Sequence, residues 1–317
     1  MIKFGSIEQY RNTIREVKTN HDYQGKDELE QPIYQHLSPY PTIEFKGTVK
    51  LHGTNASVVK YKDRTEFQSR ERVLSLQSDN YQFMLTMMGK NLDFLFEGIE
   101  FTDHIAVFGE WVGQGIQNGV AVSNLPKSFV VFAYMVDGVW ADIQRSDSGQ
   151  NVYHITEFPT WTIQIDFNSP ESVQNELVTI TEQVEKECPV GKHFGFSGTG
   201  EGVVWTTSDR RYCFKVKGEK HSVTKVKTLA AVDTELISSM NEFVDNVLTE
   251  ERLKQGIEKL KEMGLEVSQK STGEYLRWII GDILKEEQDT IVTNQFDLKK
   301  LNPLLSNRAR VWFFNNF

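Results

Sequence analysis

Apolar residues recur at helical spacing at Ile7, Tyr10, Ile14 and Val17, which predicts a surface helix near the start of the chain. Residues 20–40 are polar and read as loop, closing on Pro39-Tyr40-Pro41, whose prolines force an extended entry into the next segment. The period then shortens to two. Thr42-Ile43-Glu44-Phe45-Lys46-Gly47-Thr48-Val49 predicts a strand, Gly53 turns the chain, and Ala56-Ser57-Val58-Val59-Lys60-Tyr61 predicts the returning strand. Strand signals continue to about residue 70, and a helix is expected from Asn80 to about Phe96, with Phe83, Met84, Met87 and Met88 packing inward. Strands recur at Ile105–Trp111, Ser128–Val136, Val139–Ile143 and Thr160–Ile165. Ser169-Pro170-Glu171 opens a helix with a capping serine, proline at the first helical position and an early acid, and Cys188-Pro189-Val190-Gly191 stops that helix after about Lys186. Val203–Thr206 and Arg211–Lys217 are the next strands.

From about Asp233 the pattern turns to long helices. Phe243, Val247, Leu248, Leu253, Ile257, Leu260 and Met263 mark two, with Thr249-Glu250-Glu251 as a cap between them. Tyr275, Ile279, Ile280, Ile283 and Leu284 mark a third, and Leu298 to Phe314 hold a fourth. A boundary is expected between Lys227 and Asp233, dividing the chain into residues 1–230 and 231–317.

Composition narrows the class. With 317 residues, 39% hydrophobic and 25% charged, the chain can bury a large core and a smaller second one. No run of about 18 apolar residues occurs, so no membrane helix is expected. Met1-Ile2-Lys3-Phe4-Gly5-Ser6-Ile7-Glu8 lacks a hydrophobic signal core, which points to the cytoplasm. Cys188 and Cys213 make no metal spacing and read as two reduced thiols. The seven histidines show no tight metal spacing either, and Gly198-Thr199-Gly200-Glu201-Gly202 lacks the Lys-Ser/Thr of a P-loop. A formal charge of −9 argues against blanket nucleic-acid binding but leaves room for a local basic groove.

Candidate chemistry sits in five stretches. Lys50 ends a strand just before the Gly53 turn, at the lip of a sheet, where neighbouring cations or desolvation make an amine nucleophilic. Taken alone, Lys-x-x-Gly reads as a surface lysine before a tight turn, and it is the four later stretches that favour the nucleophile. Gln68-Ser69-Arg70 ends the third strand with a planar donor fork suited to phosphate. Val107-Phe108-Gly109-Glu110-Trp111 delivers one carboxylate on an apolar strand, and Gly200-Glu201-Gly202 delivers a second at the mouth of another. Lys215 and Lys217, two apart on a strand, face the same side while Val216 faces the core.

Assembled, these residues suit one mechanism. Lys50 attacks the α-phosphorus of a nucleoside triphosphate and pyrophosphate leaves. Lys215 and Lys217 neutralise charge on the phosphate oxygens, and Glu110 and Glu201 hold a divalent ion, magnesium through water.

Lys50-Leu51-His52-Gly53-Thr54-Asn55 resembles motif I of the RNA ligase 2 family, the type of the second RNA ligase of T-even phages and the trypanosome RNA-editing ligases. The resemblance continues in order through Ser69-Arg70, Phe108-Gly109-Glu110, Glu201-Gly202 and Lys215-Val216-Lys217, and covers roughly residues 40 to 225. Most related DNA ligases and capping guanylyltransferases have aspartate at the position of His52, so the histidine points to RNA joining. The resemblance implies an α+β chain, an ATP-grasp-like nucleotidyltransferase domain of antiparallel sheets flanked by helices and a smaller all-α C-terminal domain. It implies ATP as cofactor, with AMP carried on Lys50, and magnesium, with manganese able to substitute. AMP then passes to an RNA 5′-phosphate, and a 3′-hydroxyl displaces it to seal the strand.

In that reading His52, Asn55 and Arg70 serve the steps after lysine adenylylation, with Leu51 beside the nucleotide and Phe132 stacked on adenine from the strand Phe129–Tyr134. The expected partner is RNA with 5′-phosphate and 3′-hydroxyl ends, prepared by a separate end-healing enzyme and sealed by a monomer in RNA repair, in a host cytoplasm if phage-encoded. Between Arg210 and Lys227, seven Lys/Arg stand against Glu219 alone and make the best candidate RNA-backbone surface, with Lys299, Lys300, Arg308 and Arg310 as a second. The alternatives are a capping-type guanylyltransferase, a DNA ligase, or a non-catalytic RNA-binding module of the same fold.

Overall fold

The computed structural model describes residues 1–221 and 240–317. The expected boundary between Lys227 and Asp233 lies outside the described residues, as do Lys225 and Lys227 of the basic stretch. In chain order the strands are β1 (Glu8–Gln9), β2 (Tyr23–Lys26), β3 (Pro32–Tyr34), β4 (Thr42–Lys50), β5 (Thr54–Tyr61), β6 (Thr65–Ser69), β7 (His104–Val112), β8 (Ser128–Val136), β9 (Val139–Ala141), β10 (Val152–His154), β11 (Thr160–Asp166), β12 (Gly202–Thr206) and β13 (Cys213–Lys217). The helices are α1 (Tyr10–Asp22), α2 (Phe83–Met88), α3 (Gln174–Lys186), α4 (Pro189–His193), α5 (Met240–Val247), α6 (Glu250–Glu262), α7 (Thr272–Glu286), α8 (Gln288–Thr293) and α9 (Leu298–Asn316).

Two mainly antiparallel sheets form the α+β part. One has the order β1-β13-β12-β4-β11, the other β10-β8-β7-β5-β6 with β9 paired to β8. Alternation along the strands puts the apolar set on one face of the first sheet, whereas the second sheet is apolar on both, with Val59, Ala106, Phe108 and Ala133 on its other face. Phe45, Val49, Val203, Trp205, Phe214 and Val216 bury against Tyr10, Ile14 and Val17 of α1 and Leu177 and Val184 of α3. Val58, Phe67, Val107, Trp111, Phe129 and Val131 form a second core with Phe83 and Met87 of α2. Each such side chain contributes about 1.5–3 kcal/mol when fully buried. Gly47 permits one close contact, because a Cβ there would lie 2.7 Å from the buried Trp205 ring.

The described C-terminal residues are helical, around a core that includes Phe243, Val247, Ile257, Tyr275, Ile279, Leu301 and Phe313. Thr249 caps α6 by accepting from the Arg252 amide, as its position before two acids predicts. Ion pairs fix these helices to the sheets. Arg11 of α1 donates to Glu287 at 2.6 Å with both side chains almost wholly buried, and also reaches the Glu286 carbonyl at 2.5 Å.

Several expectations differ from the structure. The helix expected from Asn80 to Phe96 shrinks to α2 plus a 3-10 turn at Asp93–Leu95, and Met88 faces solvent at 54% exposure. Residues 20–40 contain the hairpin β2–β3, which lacks an apolar alternation for a sequence to display. The helix start at Ser169 is a 3-10 turn from Pro170, with no capping bond from the serine side chain. An extra helix, α8, precedes α9. No helix among the described residues is long and apolar enough to cross a membrane. Both cysteines are free thiols.

Candidate active site

Strand register builds the site. Gly202, first residue of β12, lies opposite Lys50 at the end of β4 on one side and Lys217 at the end of β13 on the other. Glu201 therefore enters between two lysines. Lys50 donates to its Oε2 at 2.6 Å, and Lys217 lies 3.0 Å from its Oε1. His52 Nδ1 approaches Oε2 at 3.4 Å, and the His52 ring meets His221 edge-on at 5.8 Å. Gly202 has to be glycine: its φ is +145°, and a Cβ would sit 2.1 Å from the Val216 carbonyl.

The second sheet brings the other carboxylate. Asn55 of β5 pairs across the ladder with Glu110 of β7, so both face the same side. Glu110 Oε1 accepts from the Gly53 amide at 3.0 Å, tying the turn after Lys50 to β7. Leu51 is buried beneath that turn, and Arg70 stands exposed at the rim.

Electrostatics separates the two acids. Burial raises Glu110 to about 7, with Glu201 adding to the rise and Lys50 opposing it. Burial also disfavours ionised Glu201, but Lys50, Lys217 and His52 outweigh it and hold the carboxyl well below the usual range. Lys217 shifts down although it is paired, because burial together with the Lys50 and Lys215 cations exceeds the pull of Glu201. Two ammonium groups crowd one carboxylate and a third, that of Lys215, stands near enough to act on them, so the site is built for further negative charge.

A cavity of about 980 Å³ opens from this cluster. Val49, Phe132, Trp140 and Phe4 are among the residues along it, with the Phe4 ring edge-on to Phe132 at 5.0 Å. Phe132 occupies a bulge. Phe108 pairs with Ala133 and Gly109 with Val131, leaving Phe132 as the extra residue on β8. Its carbonyl accepts from Arg210, whose guanidinium lies 5.9 Å from the Trp140 ring centroid. Arg210 is thus half-buried in the cavity wall, not part of an exposed RNA-backbone surface as expected.

The structure brings Lys50, Leu51, His52, Asn55, Arg70, Glu110, Phe132, Glu201, Lys215 and Lys217 together around this one cavity. It also adds helical residues that sequence reasoning missed. Lys215 donates to Glu286 of α7 at 2.9 Å, and Arg252 holds the other oxygen of that carboxylate at 2.7 Å. Burial opposes ionisation of Glu286, but Lys215 and Arg252 keep it low, whereas burial and Glu286 raise the neighbouring Asp282. Glu262 of α6 accepts from Thr54 at 3.4 Å, and Lys259 pairs with Glu71. None of these carries a motif. Elsewhere Arg308 is not a free phosphate ligand, since it pairs with Asp245 and donates to Asn241 at 3.2 Å.

The family model for RNA ligase matches residues 43–227, which holds the lysine, both carboxylates and the paired lysines of the cavity. The chain belongs to the RNA ligase family. Among solved structures it is similar to Naegleria gruberi RNA ligase with PPi, at 17% identity, with 69% of this chain and 56% of that one covered and a TM-score of 0.43. The same ligase as a mutant with AMP and Mn gives 17% and 0.43 over the same shares, and a mutant with ATP and Mn gives 17% and 0.44. This chain spans just over half the length of those ligases. No curated protein sequence matches it.

Proposed function

We propose that this RNA ligase uses ATP to join RNA 5′-phosphate and 3′-hydroxyl ends through a covalent AMP on Lys50. The observation that carries the reading is Lys50 at 2.6 Å from Glu201, with Lys217 on the same carboxylate and Lys215 on the same strand face. A triphosphate is the ligand such a cation cluster fits, and the aromatic wall at Phe132 and Trp140 offers a flat surface for a base.

In this mechanism the Lys50 ammonium sheds a proton to water, the resulting amine forms the Nζ bond to the α-phosphorus, and a second proton leaves to water as the phosphoramidate forms. The bond from that phosphorus to the bridging oxygen breaks, and pyrophosphate leaves with the electron pair. Lys215 and Lys217 turn from carboxylate to phosphate oxygens and offset their developing charge. The AMP then moves to an RNA 5′-phosphate, and a 3′-hydroxyl displaces it to leave a phosphodiester. His52, Asn55 and Arg70 act in those later steps, at the rim where RNA ends enter.

A magnesium or manganese ion fits the donor set. Glu110 and Glu201 are hard oxygen ligands, and a buried carboxyl raised to about 7 gains from a nearby cation. When bound, the ion neutralises phosphate charge, and Glu110 and Glu201 would hold it. The remaining features of the reading are a monomer acting in RNA repair in the cytoplasm on ends supplied by a separate healing enzyme.

Lys50→Ala tests the assignment. The variant should form no lysyl-AMP yet still seal RNA that already bears a 5′-adenylate. Failure on that pre-adenylated RNA by a folded variant would give Lys50 a different role.

A further inference from the structure

A second constellation of ligand-type side chains lies at the end of α1, apart from the residues of the cavity. His21 and Asp22 close that helix, and His36 follows β3. His21 Nδ1 lies 3.1 Å and His36 Nδ1 3.0 Å from the same Asp22 oxygen, Oδ1. Ligand atoms of the three residues fall within 4.8 Å of one another. Donor atoms around an ion with bonds of about 2.1 Å stand roughly 3.0–3.4 Å apart, so both histidine–aspartate separations already match a coordination edge.

The surroundings have the polarity of an outer shell. His21 Nε2 faces Ser38 Oγ at 3.2 Å, so it can carry the ring proton while Nδ1 presents a lone pair. Tyr40 donates to Asp22 Oδ2 at 3.0 Å, which orients the carboxylate and leaves Oδ1 toward the imidazoles. The Tyr40 ring lies 4.3 Å from His36 and 5.1 Å from His21, fixing both.

The hairpin supplies an independent reason for a clip here. β2 and β3 form a two-stranded sheet of their own, and Tyr23, Leu29, Ile33 and Tyr34 on it are exposed. An isolated two-stranded hairpin is marginal in water. Asp22 immediately precedes β2 and His36 follows β3, so a bond between them closes the hairpin at its base. The Gln35 amide already donates to the Asp22 carbonyl at 2.7 Å at the same point.

We propose that His21, Asp22 and His36 bind a divalent transition-metal ion of the zinc type, which clips the base of the β2–β3 hairpin to α1. Two imidazoles and one carboxylate, with water completing the shell, form a donor set suited to zinc rather than to magnesium. The site is independent of the ligation chemistry proposed above.

The test uses full-length protein stripped with chelator and re-equilibrated with zinc in millimolar magnesium, so that the catalytic carboxylates are already supplied. Wild type should retain one zinc per chain after gel filtration. His36→Ala should lose it, by more than the roughly 10–100-fold that even an outer-shell partner costs. Zinc should also slow glutamyl-endopeptidase cleavage at Glu28 and Glu30 in wild type and leave His36→Ala unchanged. Lysyl-AMP formation in magnesium should be the same in both proteins, which serves as the control for folding. Equal zinc content in wild type and His36→Ala, or no retained zinc in either, would overturn the site. Retained zinc without protection of the hairpin would overturn its role as a clip.

Discussion

Lys215 of strand β13 donates to Glu286 of helix α7 at 2.9 Å, so a lysine suited to phosphate is held by a carboxylate from the C-terminal helices. The same carboxylate takes Arg252 and Gln9, which joins sheet, first strand and helical part at one acid. For Lys215 to meet a triphosphate, this bond has to break. Glu286→Gln keeps the shape and removes the charge. A charge-assisted bond contributes about 1.5–3 kcal/mol, so the apparent KM for ATP in lysyl-AMP formation should fall roughly tenfold. An unchanged KM would mean that Glu286 does not compete with nucleotide.

Glu201 is the counter-charge for two lysines that are themselves largely buried, with side-chain exposures of 18% for Lys50 and 13% for Lys217. Glu201→Gln should leave both ammonium groups repelling each other and cost about 3–5 kcal/mol of stability, together with lysyl-AMP formation. Urea unfolding checks the first part. A midpoint equal to wild type would show that solvent, not Glu201, balances the lysines.

Within the turn after Lys50, position 53 tolerates no side chain. A Cβ at Gly53 would lie 2.3 Å from the Trp111 carbonyl and 2.8 Å from a Val112 methyl. Gly53→Ala should push the turn off β7, break the amide bond to Glu110 and misplace Lys50. Misplacement by about 1 Å is enough for roughly a hundredfold loss in the rate of adenylylation. A single-turnover measurement decides it, and a wild-type rate would separate the turn from the chemistry.

His154 sets an acid limit on stability. Burial, with Arg210 adding to it, lowers this ring to about 4, so the folded protein keeps it neutral where an unfolded chain takes up a proton. The unfolded state therefore binds more protons between about pH 6.5 and 4, and stability falls as pH drops through that window. The loss approaches roughly 3 kcal/mol at the lower end. Denaturant midpoints at pH 7 and pH 5 should converge in His154→Gln relative to wild type. Identical pH slopes in the two proteins would assign the acid sensitivity elsewhere.

Locality decides which features the sequence displays and which it hides. Lys50 and Lys217 are readable because each ends a strand, and Glu201 because it directly precedes one; sheet register does the rest. Glu286 is not, since it reaches Lys215 from 71 positions away on a helix whose pattern reports only its apolar face. Phe132 is ambiguous from sequence because the bulge interrupts the alternation that would tell which way its ring points. Arg210 counts as surface charge in a basic run, yet the turn before β13 folds it back onto the Phe132 carbonyl. The hairpin at Tyr23–Tyr34 is hidden for a simpler reason: both of its faces are exposed, so its composition is that of a loop.

The central claim is a covalent AMP on Lys50. Purified protein freed of bound nucleotide, mixed with magnesium and α-phosphate-labelled ATP or GTP and run on a denaturing gel, tests it directly. Label from ATP should stay with wild type and vanish in Lys50→Ala. Label from GTP alone would contradict the choice of nucleotide and favour capping chemistry. Label from neither would contradict covalent catalysis and leave an RNA-binding protein with a ligase fold.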